Sequence, residues 1–429
     1  MLDKKAIKLS EDFNYCIDRI ENTNASMFIT GRAGTGKSTL LNLIRRTSKK
    51  KLAILAPTGI AALNVKGQTI HSFFGFPPRI LTAKDISKRR NFKLFKKLEL
   101  IIIDEISMVR ADMLDNIDYF LRLNRESAEP FGGVQMVFFG DLFQLPPVLK
   151  REEKAHFDFI YDSPYFFSAK VLEKDYPLEY IELSRVFRQE QKHFLKLLEG
   201  VRLNSIIDYE IEQLNERYNP VYANSAGYIT LSSRNYAVDK MNRDELAELE
   251  GVPKTYTAKM EGEFKASQAP VEINLNLKIG AQVMFVRNDM ERRYVNGTIG
   301  EIIKLEDDKV TVSVEKENGQ LKNIEVEKET WEIIKYKLNE KGEPLAENMG
   351  NFTQFPLRLA WAITIHKSQG KTFDKVVIDL DKGAFAHGQT YVALSRCRTL
   401  EGIVLKKKIR ESDIQVDERI IDFYNQKFL

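Results

Sequence analysis

Gly31-Arg-Ala-Gly-Thr-Gly36-Lys37-Ser38-Thr39 follows the apolar run 27–30 and precedes the helix-patterned residues 40–44. A glycine-rich turn between a strand and a helix reads as a phosphate loop. The glycines let backbone N–H groups close on phosphates, Lys37 reaches the β and γ oxygens, and the Ser38 hydroxyl suits a magnesium ion. Working outward, the apolar runs 52–56, 100–103 and 135–139 read as further buried strands, each followed by a loop carrying polar or glycine residues. Between the last two, Met113, Leu114, Ile117, Phe120 and Leu121 share one helical face. Strands alternating with helices predict an α/β fold with a parallel sheet, and residues 1–180 read as one doubly wound domain.

A second α/β block is split. The runs 228–231 and 376–380 read as strands of one sheet. Between them, 310–314, 324–326 and 331–336 alternate with period two around an Asn318-Gly319 turn. Residues 301–350 carry 13 acidic and 8 basic side chains. The pattern predicts a small β module at 300–352, inserted into a second domain made of 181–299 and 353–429. Elsewhere the charge reverses: Arg79, Lys84, Lys88, Arg89, Arg90, Lys93, Lys96 and Lys97 are accompanied by one acid, Asp85. Such a patch is the footprint of a phosphate backbone or, alternatively, a solvated helix face.

Composition excludes several classes. A chain of 429 residues, 43% hydrophobic, is too large for one small module, and 23 Gly and 13 Pro without any biased tract exclude collagen-like or low-complexity disorder. A net charge of +4 says little about partners. Cys16 and Cys397 stand alone at opposite ends, which excludes a disulfide framework or a cysteine zinc site and predicts a reducing compartment. No signal-peptide pattern opens the chain and no apolar run approaches the roughly 18 residues of a membrane span, so the expectation is an intracellular, soluble protein with no membrane partner.

Two further strands end in chemistry. Leu100-Ile-Ile-Ile-Asp104-Glu105 closes a buried run with two carboxylates: Asp104 to hold magnesium through water, Glu105 to polarise the water attacking the γ-phosphate. The run 136–139 leads into Gly140-Asp-Leu-Phe-Gln144-Leu-Pro-Pro147, where neutral Gln144 suits γ-phosphate sensing or water orientation. Arg188, in Leu183-Ser-Arg-Val-Phe-Arg-Gln189, and Arg396, in Tyr391-Val-Ala-Leu-Ser-Arg-Cys-Arg398, are candidates to reach across an interdomain cleft as arginine fingers.

The order of these blocks resembles the Pif (petite integration frequency) family of DNA helicases, in superfamily one, subgroup B. The resemblance rests on GRAGTGKST (31–39), APTGIAALNVKGQTIHSFFG (56–75), IIIDEISMV (101–109), PFGGVQMVFFGDLFQLPPV (130–148), ELSRVFRQ (182–189), ITIHKSQGKTFD (363–374) and YVALSRCR (391–398). It implies two RecA-like phosphate-loop domains, a wedge element at about 76–98 and an inserted small β-barrel. It also implies ATP and magnesium as cofactors and 5′ to 3′ unwinding. Nucleotide contacts carry over to Gly34, Thr35, Gly36, Lys37, Ser38, Thr39 and Gly370, with Asn14 where the family often has a glutamine; adenine selectivity therefore stays open. DNA contacts carry over to Thr58, Gly59, His71, Ser72 and Phe74, and to His366, Lys367, Ser368 and Gln369, whereas Phe73 and Phe76 are read as core. Implied partners are single-stranded DNA and tailed or forked duplex DNA, with G-quadruplexes and RNA–DNA hybrids left open, for a monomeric chain that in a bacterium would be cytoplasmic and nucleoid-associated. A kinase with a small acceptor, a nucleotide-gated binding module and a translocase that does not unwind are the competing readings.

Overall fold

A computed structural model of the chain describes residues 10–428 apart from 78, 150, 174–175, 190, 223–226, 290, 292, 316–318, 342 and 382; Asn318 of the expected turn thus lies outside the described residues. The first half builds a six-stranded parallel sheet from β1 (Ser26–Gly31), β2 (Leu52–Ala56), β3 (Gln68–Thr69), β4 (Leu100–Ile103), β5 (Gln135–Phe139) and β6 (Leu178–Leu183), in the order β3-β2-β4-β5-β1-β6. β1, β4 and β5 are buried along their whole length. Burial on both faces is why these strands read as continuous apolar runs without alternation. Helices α1 (Glu11–Asn22), α2 (Lys37–Thr47), α3 (Gly59–Asn64), α4 (Ile70–Phe74), α5 (Phe92–Lys97) and α6 (Ala111–Arg125) connect these strands or lead into them. β6 pairs with β1 from Ser26↔Leu178 to Gly31↔Leu183, so the first sheet runs past residue 180.

A second parallel sheet orders Ala362–Thr364, Ile229–Ser232, Val376–Asp379 and Ile403–Leu405. Its central register, Val376↔Ile229 to Asp379↔Ser232, makes neighbours of the two runs read as one sheet. The antiparallel strands between them extend well beyond 300–352. Lys254–Thr257 pairs with Asn274–Leu277, Lys259–Gly262 with Pro344–Gln354, and Gln282–Phe285 with both Ile299–Leu305 and Leu357–Leu359. The early strands hold four residues each and pair across long connections; Val271-Glu-Ile-Asn-Leu-Asn-Leu277 does alternate with period two, a signal the sequence reading passed over.

Several contacts join the parts, among them one from the β module and one from the C-terminal helix. Tyr336, in the strand Glu329–Leu338, accepts a hydrogen bond from the Ile54 amide of β2 at 3.0 Å and seats the β module on the first sheet. The C-terminal helix Glu418–Phe428 crosses back to the first sheet: Phe423 stacks on Phe167 at 4.3 Å and Phe428 meets Phe28 at 6.2 Å.

Candidate active site

The phosphate loop leaves the carboxyl end of β1, the end at which open parallel sheets bind ligands. Gly34 and Gly36 have φ of +87° and +86°, conformations open to glycine, and a Cβ on Gly34 would fall 2.5 Å from Arg188 Cβ. Gly36 caps α2, whose first-turn amides and dipole favour an anion. The Lys37 ammonium donates to the Gly31 and Arg32 carbonyls across the loop. Burial holds it below the ordinary lysine range, opposed by the nearby charges of Asp141 and Glu105. Ser38 and Thr39 face solvent, while Thr35 is buried and donates to the Arg32 carbonyl at 2.9 Å. Asn14 is exposed on α1, one position from Phe13, which packs against Gly36.

Asp104 and Glu105 end β4 side by side. Burial pushes both carboxyls upward, mutual repulsion adds to the shift at Asp104, and the Lys37 charge opposes it at both. Glu105 holds a left-handed backbone, φ +52°, a costly conformation for a residue with a side chain. The Ser38 hydroxyl and the Asp104 carboxylate are hard oxygen donors, and a divalent cation would relieve the stress between the two acids, so this donor set fits magnesium. Beyond β5, buried Gln144 donates from Nε2 to Asp141 Oδ2 at 3.1 Å.

Both candidate fingers converge on one turn. Arg188 donates to the Ser395 carbonyl at 3.1 Å; the fully buried Arg396 donates to the carbonyls of Val392 at 2.9 Å and Ser368 at 3.4 Å and to Ser395 Oγ at 2.7 Å. Burial lowers the two guanidiniums to about 9 and about 10, and Arg396 further depresses Arg188. Cations held at such cost beside a phosphate loop make a cleft suited to a polyanion.

The candidate DNA contacts divide. Thr58 caps α3 by accepting from the Ala61 amide at 3.2 Å, and Gly59 lies 3.8 Å, measured from an ideal Cβ, from Gln268 of the β module. Ser72 is exposed and accepts from Gln68 Nε2 at 2.8 Å, and burial with the Arg110 charge keeps half-buried His71 below its ordinary pKa. His366, Lys367 and Gly370 are exposed on the loop after Ala362–Thr364, and the amide nitrogen of Gln369 is buried without a partner among the described residues. Two expectations are corrected. Phe74 is 1% exposed, wedged among Phe73, Phe76, Phe95 and Phe120, and offers no face to a base. The Ser368 hydroxyl is fully buried and donates to the Ile365 carbonyl at 2.7 Å.

A model of PIF1-like helicases matches residues 8–212 and one of the 2B domain of DNA helicase Pif1 matches residues 265–305. The ATP-dependent DNA helicase PIF1 of Danio rerio is 34% identical across 98% of this chain, which spans 64% of that protein's length. The ATP-dependent DNA helicase Pif1 of Campylobacter jejuni is 33% identical, with 95% of this chain and 97% of the relative covered. The chain belongs to the PIF1-like helicase family. Two crystal structures of Bacteroides Pif1 align over 98% of this chain. The complex with ADP-AlF4 is 40% identical with a TM-score of 0.90 over 98% of its own chain; the single-stranded DNA complex is 42% identical with 0.69 over 97%.

Within this PIF1-like frame, sequence reasoning passed over four buried residues. Gln189 donates to the Ser395 and Cys397 carbonyls at 3.1 and 3.0 Å. Arg202 is fully buried between Glu182 and Glu199, with its guanidinium 3.7 Å from Asp141 and 4.4 Å from the centre of the Phe143 ring. Gln189, Asp141 and Tyr391 all lie within the motifs, but nothing in their spacing marks them.

Proposed function

We propose that this chain is an ATP-dependent DNA helicase that moves 5′ to 3′ along single-stranded DNA as a monomer and opens tailed or forked duplexes. The observation that carries the reading is the meeting, beside the phosphate loop, of Arg188 from beyond the first sheet's last strand with the carbonyl of Ser395, whose hydroxyl accepts from the adjacent Arg396. Phosphoryl transfer needs positioning and charge stabilisation, and the cleft supplies both. Lys37 and the α2 amides hold the phosphates, Gln144 contacts the γ-phosphate, Glu105 polarises water, and the two arginines meet the charge that develops in the transition state. Ser38 and Asp104 would hold magnesium, which neutralises phosphate charge when bound.

The starts of α3 and α4, with Thr58, Gly59, His71 and Ser72, and the loop of His366, Lys367 and Gln369 grip the strand through hydroxyl, amide and imidazole groups, a sequence-tolerant mode. Nucleotide shifts the population between open and closed clefts, and the two grips alternate as it does. The Bacteroides Pif1 structure bound to single-stranded DNA, and a Pif1 structure described as the basis for unwinding at forked duplex DNA by two coordinating helicases, support this choice of substrate. An enzyme of this kind works inside the cell, on the nucleoid in a bacterium.

The test is ATP turnover with and without single-stranded DNA for the wild type, Lys37→Ala and Arg396→Ala, followed by unwinding of duplexes with a 5′ or a 3′ tail. DNA-stimulated turnover lost in both variants, with only the 5′-tailed duplex opened, is expected. Turnover indifferent to DNA would return the field to a kinase with a small acceptor.

A further inference from the structure

The turn that opens the helix Gln389–Leu394 presses on the loop that carries Gln144. Gly388 has φ +71°, and a Cβ there would fall 2.3 Å from the Gln144 carbonyl oxygen and 2.5 Å from that of Phe143. Only a glycine permits that backbone-to-backbone approach. One helical turn further on, Tyr391 is 3% exposed. Its hydroxyl accepts a hydrogen bond from the Ala33 amide of the phosphate loop at 2.9 Å and donates to Asp141 Oδ2 at 3.5 Å. That same oxygen accepts the Gln144 side-chain amide, while Asp141 Oδ1 accepts the Phe143 amide at 3.2 Å.

Asp141 is itself anchored. The Arg202 guanidinium lies 3.7 Å away, held by Glu182 at 3.1 Å and Glu199 at 3.2 Å. Burial and the Asp141 charge keep the Tyr391 phenol protonated, so it serves at once as acceptor for Ala33 and donor to Asp141. Ring packing alone would be served equally well by phenylalanine; the hydroxyl is what joins two loops of the first sheet through a residue of the second.

We propose that Tyr391 is a positioning residue for ATP hydrolysis: its hydroxyl ties the phosphate-loop amide of Ala33 to the Asp141 carboxylate that orients Gln144, so that Gln144 is fixed only while the Gly388–Tyr391 turn is seated. The inference rests on the ATPase reading above. It makes cleft closure a condition for aligning the γ-phosphate sensor, in addition to delivering the arginines.

The experiment uses the full chain with Tyr391→Phe, Asp141→Asn and the double variant, comparing DNA-stimulated kcat, KM for ATP and the affinity for a fluorescent non-hydrolysable ATP analogue. Tyr391→Phe is expected to lower kcat at least fivefold while analogue affinity stays within threefold, and the double variant to be no slower than Asp141→Asn alone, as residues acting through one contact are non-additive. Turnover of Tyr391→Phe within twofold of wild type, or single losses that multiply in the double variant, overturns the proposal. If Tyr391→Phe does not fold, Gly388→Ala keeps the hydroxyl but props the turn away from Gln144: the same kcat loss at retained affinity supports the coupling, and wild-type turnover refutes it. A wild-type chain without any ATP turnover would overturn the ATPase reading and this inference together; one that turns over ATP but ignores Tyr391→Phe overturns only the latter.

Discussion

Tyr336 offers a direct handle on how the β module is held. Its hydroxyl accepts the Ile54 amide of β2 at 3.0 Å, its own amide donates to Gln68 Oε1 at 3.3 Å, and its ring meets Phe73 edge-on at 5.8 Å. Tyr336→Phe keeps the ring and deletes the acceptor, leaving a buried backbone donor unpaired whenever the module is docked. An orphaned buried N–H costs about 1–3 kcal/mol, and undocking releases it to water, so the docked-to-undocked ratio should fall roughly 5- to 150-fold. Dyes attached through cysteines replacing Leu321 on the module and Tyr119 on α6 of the first domain, 73% and 50% exposed, report the separation by single-molecule energy transfer. The expected outcome is a larger population at altered transfer efficiency in the absence of DNA. An unchanged distribution would show that the Ile54 contact contributes nothing to docking and would refute the reasoning.

Further outcomes follow from the same packing. Phe74→Ala should destabilise the first sheet's domain by about 3–5 kcal/mol in denaturant titrations, the cost of emptying an aromatic core site, while the folded fraction keeps its affinity for single-stranded DNA; a selective loss of DNA binding would restore Phe74 as a contact. Phe423→Ala should loosen the C-terminal helix from Phe167, so limited proteolysis ought to clip the helix while the two sheets remain intact. His387, whose Nε2 lies 2.5 Å from the Tyr165 hydroxyl, is held below its ordinary pKa by burial. The unfolded chain therefore takes up that proton first as pH falls through about 6.5, and stability present at neutral pH is lost below it. Melting curves from pH 5 to 8 should show a shallower acid slope for His387→Gln than for wild type.

The phosphate loop, the paired carboxylates and Gln144 were legible because each lies where a buried strand gives way to polar residues, a local signal carried within a few positions; Arg188 and Arg396 lack that signal, since Arg396 follows the helix Gln389–Leu394 and Arg188 lies beyond the half-buried β6. Gln189, Asp141, Arg202 and Tyr391 were not legible. Each works through partners far along the chain, such as Ala33 for Tyr391 and Ser395 for Gln189. Phe74 misled for the opposite reason: its neighbours His71 and Ser72 are polar and accessible, but a helical turn puts adjacent residues on different faces, and this one points into the core.

By itself, then, the order of strands, glycines and charged residues determined a parallel α/β chain with a phosphate-binding cleft, because hydrophobic period and turn chemistry are written locally. Tertiary structure alone decided how far the antiparallel module extends, that the last helix returns to the first sheet, and which hydroxyl crosses the cleft. Those outcomes depend on surfaces brought together from distant segments, and no short window of sequence records which surfaces will meet.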